Sequence, residues 1–454
     1  MSKVNTARMI TRPSHARDKK VSFVQFGGKM YELVLRDGKL QFAARTSGGQ
    51  WHYSRETAEK FAPMEWLDGL AQKGVVLLPS AVQPGDTIDA LAKAIRIHIH
   101  RYFDCPRQFE SVEVLYVLMT WLTECFQAVP YLRFLGLPGT GKSRGSDVIG
   151  SVCYRRLALA GAATAAPMYH LIESVGGTLF IDEADFSSTD VGSEIAKILN
   201  CGYQRGKAVL RMTKGQNEHL EPGAYDVFGP KILNGRTKFR DEATESRCLT
   251  YVTRETERTD IPVQLPPEFD AEAQVLRNKL LAFRYDYLEQ IKFKNHHIPG
   301  IGRRTNEIVL PLFLIAEQLQ DRVYTSELLE FSKGIEVGLR QERRESVEAI
   351  LVEGFVRLSA GGAEPTCGEV KAHMVGELGQ DEPESKALSP KRVGSLARAI
   401  GFTTARTNRG AVLRIERKRL TALCERFNIV TQTSLDSSLR RDAGDDEVTV
   451  ENAA

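Results

Sequence analysis

Gly136-Leu-Pro-Gly-Thr-Gly-Lys-Ser143 follows an apolar segment, Tyr131 to Leu135, and has the spacing of a phosphate-binding loop set between a strand and a helix. Gly136, Gly139 and Gly141, with Pro138 and Thr140 between them, let the backbone wrap a phosphate and turn its amide hydrogens inward. Lys142 then reaches the β- and γ-phosphates of a nucleoside triphosphate, taken as ATP, and the Ser143 hydroxyl is a ligand for Mg2+. Downstream, Gly177-Thr-Leu-Phe-Ile-Asp-Glu-Ala-Asp185 reads as a short apolar strand ending in two adjacent carboxylates. Asp182 belongs behind the magnesium shell, and Glu183 orients and polarises the attacking water. A glycine-rich turn with a chance Lys-Ser, or a solvated Asp-Glu strand end, is the plain alternative for each motif alone. Their agreement in order and context speaks against both.

The 454 residues are 42% hydrophobic and 26% charged, enough for a sizeable core and about three domains of ordinary size. Seven scattered cysteines, an odd number with no Cys-x-x-Cys pair, argue against a disulfide framework or zinc site and for a reducing cytoplasmic setting. The longest apolar runs, Val114 to Leu122 and Ile308 to Ala316, are too short to span a bilayer, so no membrane partner is expected. Net charge is only +3, but its distribution is uneven: residues 1–20 form a basic tail and residues 431–454 an acidic one, both expected to be disordered.

Residues 21–85 alternate strand-like stretches with turn signals at Gly27-Gly28, Asp37-Gly38 and Ser47-Gly48-Gly49, which predicts a small antiparallel sheet. Its aromatics, Phe23, Phe26, Tyr31 and Phe42, suit packing better than base stacking. Residues 86–130 form a helical connector, with helices from Asp86 to about Phe103 and from Glu110 to Phe126. His98 and His100 have no companion ligands and read as packing or surface residues. Within 131–262 follow a helix from Val191 to Tyr203, a hairpin with arms Lys207–Met212 and Glu218–Tyr225, and a strand at Pro230–Gly235.

The order of phosphate loop, acid pair, helix, hairpin, strand ending in Asn234 and then Glu245-Ser-Arg-Cys248 resembles the AAA+ ATPases. More narrowly, it is similar to the replicative helicase-like ATPases of phages, plasmids and other mobile elements, relatives of the minichromosome maintenance helicases. The resemblance covers roughly residues 130 to 430. It implies an α/β AAA+ core with a parallel sheet at 131–262 and a helical lid at 263–340, with a water-aligning role for Asn234. It also implies an arginine finger reaching a neighbour's γ-phosphate: Arg247 is the best match, with Arg236 and Arg240 as rivals. Arg304 stands where such proteins carry a second nucleotide-sensing arginine, a surface arginine at a helix start being the competing reading. Lys214, at the hairpin tip, would grip DNA in a central pore, assisted by Lys207 and Arg211. A finger acting in trans implies a homo-oligomeric ring, a hexamer by family pattern.

Residues 341–430 resemble a winged helix. Ser389-Pro390 opens a helix bearing Lys391, Arg392 and Arg398, and the hairpin after it carries Arg406, Arg409 and Arg414. That pattern suits a helix for a DNA groove and a basic wing for phosphate, although winged helices also bind proteins. The β-rich segment at 21–85 carries no recognisable origin-binding or primase module. The combined reading is an ATP-driven hexameric DNA helicase or translocase for replication of a mobile element, acting with replication partner proteins. The alternative is an ATP-gated DNA-binding loader or regulator of transposition or defence that does not unwind DNA. A protein-remodelling ATPase is a third reading, disfavoured by a hairpin tip without an aromatic residue.

Overall fold

Alternation of apolar and polar side chains folds the first part of the chain into a four-stranded meander. Strands β1 (Phe23–Phe26), β2 (Lys29–Arg36), β3 (Lys39–Arg45) and β4 (Trp51–Ser54) pair antiparallel in that order. Asp37 and Gly38, with φ of 50° and 71°, form the two-residue turn that brings Arg36 opposite Lys39, and this double positive φ is what an Asp-Gly pair tolerates. In this computed structural model the described residues are 20–26, 28–57, 60–159, 165–182, 190–214, 220–239, 241–292, 296–360 and 362–429. They fall into two compact units that divide between Lys333 and Gly334.

In the first unit, α1 (Glu65–Gln72) lies against β2 and β3, with its Asp68 carboxylate accepting from the Leu40 amide at 2.9 Å. Thr87 caps α2 (Ile88–Tyr102) by accepting from the Ala90 amide, and α3 (Arg107–Thr120) is buried along nearly its whole length. There follow β5 (Tyr131–Leu135), α4 (Lys142–Gly150), β6 (Leu157–Leu159), α5 (Ala165–Val175), β7 (Leu179–Ile181) and α6 (Asp190–Gly202). A hairpin of β8 (Ala208–Lys214) and β9 (Leu220–Asp226) comes next, then β10 (Lys231–Gly235), α7 (Glu242–Glu245) and β11 (Cys248–Val252). Strands β11, β5, β10, β7 and β6 form, in that order, one parallel sheet. Strands β5 and β10 are buried throughout, as the middle of a sheet covered on both faces must be. The core is therefore of the α/β phosphate-loop type. Helices α8 (Glu268–Tyr287), α9 (Arg303–Ala316) and α10 (Val323–Arg344) follow, and the division between the units falls inside α10. No described helix is long and apolar enough to cross a membrane.

A buried ion network ties the meander to the α/β core. Glu32 of β2, 1% exposed, accepts from Arg155 at 2.6 Å, from Arg284 of α8 at 2.5 Å and from the Tyr154 hydroxyl at 3.0 Å. Arg284 also reaches both carboxylate oxygens of Glu124 at 2.8 and 2.9 Å. Two carboxylates thus face two guanidiniums, with Glu32, Arg155 and Arg284 out of water and Glu124 partly exposed, an arrangement that tolerates loss of the buried partner badly.

The second unit has its own core, in which Leu351, Val370, Met374, Val393, Phe402 and Phe427 meet. Its elements are α11 (Val347–Leu358), α12 (Cys367–Leu378), α13 (Pro383–Lys386), α14 (Pro390–Ala399), β12 (Thr403–Thr407), β13 (Gly410–Arg414) and α15 (Arg417–Phe427). Ser389 caps α14 through the Arg392 amide and Pro390 occupies its first turn, as the sequence predicts.

Glu32→Ala leaves two guanidiniums without their shared acceptor in the interior, and the expected loss is about 3–5 kcal/mol of unfolding free energy, measured by urea denaturation. Glu113 of α3 gives a pH signature. It is fully buried, with Cys105 donating to one oxygen at 3.3 Å and the other oxygen lacking a partner among the described residues, and burial, reinforced by the charge of Glu110, pushes its carboxyl well above the usual range. Below about pH 4 both folded and unfolded chains hold this proton. As pH rises the unfolded chain ionises first, so stability is lost progressively until the folded-state pKa is passed. Glu113→Gln is expected to remove that part of the slope in a pH series of melts.

Candidate active site

Three neighbouring strands of the parallel sheet end side by side: Leu135 of β5 is opposite Gly235 of β10, and Leu233 of β10 is opposite Ile181 of β7. Gly136, Asn234 and Asp182 therefore emerge together at the carboxyl edge of the sheet, where open α/β sheets place their ligands. A cleft of about 390 Å³ opens there, lined by Pro138, Gly139, Gly141, Lys142, Ser143 and Arg144 of the loop and first helical turn and by Asp182, Asn234, Gly235 and Arg236 from the neighbouring strand ends.

The loop conformation depends on its glycines. Gly139 and Gly141 have φ of +85° and +90°, and a Cβ on Gly136 would lie 2.3 Å from the Thr253 hydroxyl oxygen and 2.6 Å from that of Thr140. Those two hydroxyls are 2.7 Å apart, so the end of β11 braces the loop from behind. The Lys142 ammonium donates to the carbonyls of Gly136 and Leu137, each at 2.7 Å, which holds it over its own loop.

Asn234, 1% exposed, donates through Nδ2 to Asp182 Oδ1 at 3.0 Å and to Ser146 Oγ at 2.9 Å. An ionised carboxylate only accepts, which fixes the orientation of the amide. Its Oδ1 is buried with no hydrogen-bond partner among the described residues. Nearby, burial lifts the Asp147 carboxyl above its ordinary range, opposed by Arg156 at 2.6 Å. Ser143 and Asp182 supply hydroxyl and carboxylate oxygens to one cleft, the hard donors that suit Mg2+. No group of three or more His, Cys, Asp or Glu elsewhere among the described residues forms a metal site. His98 is a packing residue: it stacks on Phe269 at 5.1 Å, and burial lowers its pKa to about 4.

Glu183 and Arg240 lie outside the described residues. Arg247 stands at the other end of the sheet, just before β11, where its carbonyl accepts from the Tyr131 amide at 3.0 Å. Its guanidinium donates to Asn200 Oδ1 at 2.8 Å and lies 5.3 Å from the Tyr203 ring centroid. Arg304, in the first turn of α9, lies 5.0 Å from the same ring and pairs with Glu307 at 2.6 Å. The fold thus gathers Arg247 and Arg304 around Tyr203, which the sequence did not single out, and away from the cleft of their own chain. Lys207 is exposed beside β8, whereas Arg211 is half-buried, paired with Glu194 of α6 and 4.7 Å over the Tyr169 ring. The backbone of Lys214 closes β8 opposite Leu220.

In the second unit, Lys391, Arg392 and Arg406 are exposed, and Arg398 donates to Thr404 at 3.3 Å and Ser395 at 3.1 Å. Arg409 donates to the Glu364 carbonyl at 3.2 Å, and Arg414 pairs with the Glu364 carboxylate at 2.6 Å, which holds that carboxyl below the usual range.

No protein-family model and no curated protein matches the chain. Among solved structures it is similar to the C-terminal region of NrS-1 in an apo form, at 10% identity over 84% of this chain and 96% of that one, with a TM-score of 0.34. Drosophila ORC bound to DNA matches at 13% identity over 76% and 96%, TM-score 0.20. JCV helicase matches at 10% identity over 54% and 60%, TM-score 0.25. With scores this low, function is read from the chain's own cleft.

Gly136→Ala forces its new methyl group against Thr253 and Thr140, and the expected cost is about 1–3 kcal/mol of overpacking, seen as a lowered melting temperature.

Proposed function

We propose that this protein is a nucleoside triphosphatase that couples ATP hydrolysis to work on DNA, as a self-assembling ring of the replicative helicase type, hexameric by family resemblance and serving a mobile genetic element. The observation that carries the reading is the convergence of the phosphate loop, Asp182 and Asn234 on one cleft. The loop amides and Lys142 bind the phosphates, with Lys142 exchanging its two carbonyl partners for phosphate oxygens. A magnesium ion held by Ser143 and Asp182 would neutralise charge on the β- and γ-phosphates. Asn234 keeps Asp182 oriented while its Oδ1, unpartnered among the described residues, accepts a hydrogen from the attacking water; Glu183 takes a proton as that water adds to the γ-phosphorus and the bond to the β–γ bridging oxygen breaks, releasing ADP and phosphate.

Arg247, before β11, is the cation offered to a neighbouring subunit's nucleotide, and Arg304 shares that end of the sheet. The β8–β9 hairpin, with Lys207 and Lys214, is the element that grips DNA. The second unit adds a DNA-binding surface of winged-helix type through Lys391, Arg392, Arg398, Arg406 and Arg409. Its support is the N-capped helix followed by a hairpin, with Lys391, Arg392 and Arg406 on the outside.

The test is ATP hydrolysis and fork unwinding measured together, with single-stranded, duplex and no DNA, in wild type, Glu183→Gln and Lys214→Ala. Hydrolysis stimulated by DNA, abolished in Glu183→Gln and uncoupled from strand separation in Lys214→Ala, is the expected result. Stimulated hydrolysis without separation in wild type would instead make the protein an ATP-gated DNA-bound loader or regulator, and indifference to DNA would remove the motor reading.

A further inference from the structure

Arg236 lines the same cleft as Lys142, Ser143 and Asp182, two residues beyond Asn234. Its backbone is held there from both sides. Before it, the Gly235 carbonyl accepts from the amide of Gly136, the first residue of the phosphate loop, at 3.2 Å. After it, the Phe239 amide donates to Glu245 Oε2 at 2.9 Å, and the Phe239 ring lies 4.9 Å from the guanidinium carbon of Arg133. Arg133 is buried in β5 and bonds both oxygens of Glu245 at 2.5 Å. Strand β5 is the one that delivers the phosphate loop. The short link carrying Arg236 is thus fastened at both ends to the machinery of its own cleft, while Arg247 stands at the far end of the strands.

We propose that Arg236 is a cis-acting phosphate ligand, whose guanidinium engages the terminal phosphate of the nucleotide held by its own subunit; this rests on the nucleotide-hydrolysis reading above. The chemistry follows from position. The loop and Lys142 hold the phosphate chain, and Arg236 lines the same cleft with Asn234 and Asp182, the residues assigned to the attack on the terminal phosphate. A planar guanidinium fork matches two phosphate oxygens, and negative charge on the terminal phosphoryl group is what transition-state cations stabilise. Sequence order alone makes Arg236 a rival of Arg247 for one role in trans; the fold separates them into two roles, Arg236 within its own subunit and Arg247 towards a neighbour.

The experiment uses the full chain with Arg236→Ala and Arg236→Lys. Binding of the slowly hydrolysed analogue ATPγS and of ADP, each with Mg2+, is measured by calorimetry. Arg236→Ala is expected to weaken ATPγS binding by about tenfold or more, the worth of a charge-assisted hydrogen bond, and to leave ADP binding unchanged. Arg236→Lys is expected to restore part of the loss. Equal loss for both nucleotides, or no loss for either, would overturn the assignment. A subunit-mixing assay separates cis from trans. Arg236→Ala mixed with Lys142→Ala should recover no hydrolysis, since neither subunit then has a complete cleft, whereas Arg247→Ala mixed with Lys142→Ala should recover some. Recovery in the Arg236 mixture would place its action in trans and overturn the proposal. Wild-type protein that binds neither nucleotide would overturn the hydrolysis reading itself, a result distinct from any of these.

Discussion

The side-chain amide of Asn234 sits almost without solvent access where β10, β7 and α4 meet, and its two N–H bonds run to Asp182 and Ser146. Ser146 in turn donates to backbone carbonyls in the first turn of α4, the helix that starts at Lys142. One amide therefore sets the distance between the acid at the end of one strand and the loop at the end of another. A hydrogen bond to a charged acceptor contributes roughly 1.5–3 kcal/mol, and the site places that bond where a small displacement would separate Asp182 from Ser143. The glycines that close the loop, the hydroxyl pair of Thr140 and Thr253 and the parallel register all serve the same alignment.

A second constraint lies deeper. Glu32, Arg155, Arg284 and Glu124 form a buried network joining the antiparallel meander, the segment after α4 and helix α8. Such a network gives little net stability over an apolar replacement, but it accepts only one arrangement of its donors. In this protein it fixes the meander on the α/β core, so the β-rich segment is built into the first unit and does not hang from it as a tethered module.

Much of this was legible locally. The phosphate loop, the meander turns, the hairpin arms and the Ser389-Pro390 helix start are all written in glycine spacing, two-residue alternation or capping chemistry, signals that span only a few residues. Helix α1 was missed because it is one short segment whose cap residue, Met64, offers no side-chain acceptor, and β6 because it has three residues. The Glu32–Arg284 contact joins residues 252 apart, and no local pattern encodes it. The same limit hid Tyr203, which acquires meaning only when Arg247 and Arg304 close on it. It also hid the separation of Arg236 from Arg247, which the strand register decides.

The pairing of Arg211 with Glu194 changes what that arginine can be. Its guanidinium lies over Tyr169 and is engaged by a carboxylate of α6, the helix that follows the acid pair in the chain. A DNA phosphate that claimed Arg211 would have to displace Glu194 and lift the guanidinium from the ring. If the hairpin grips DNA as proposed, that grip and the attachment of the hairpin to α6 compete for one side chain, so tighter DNA binding at this position would loosen the hairpin from α6.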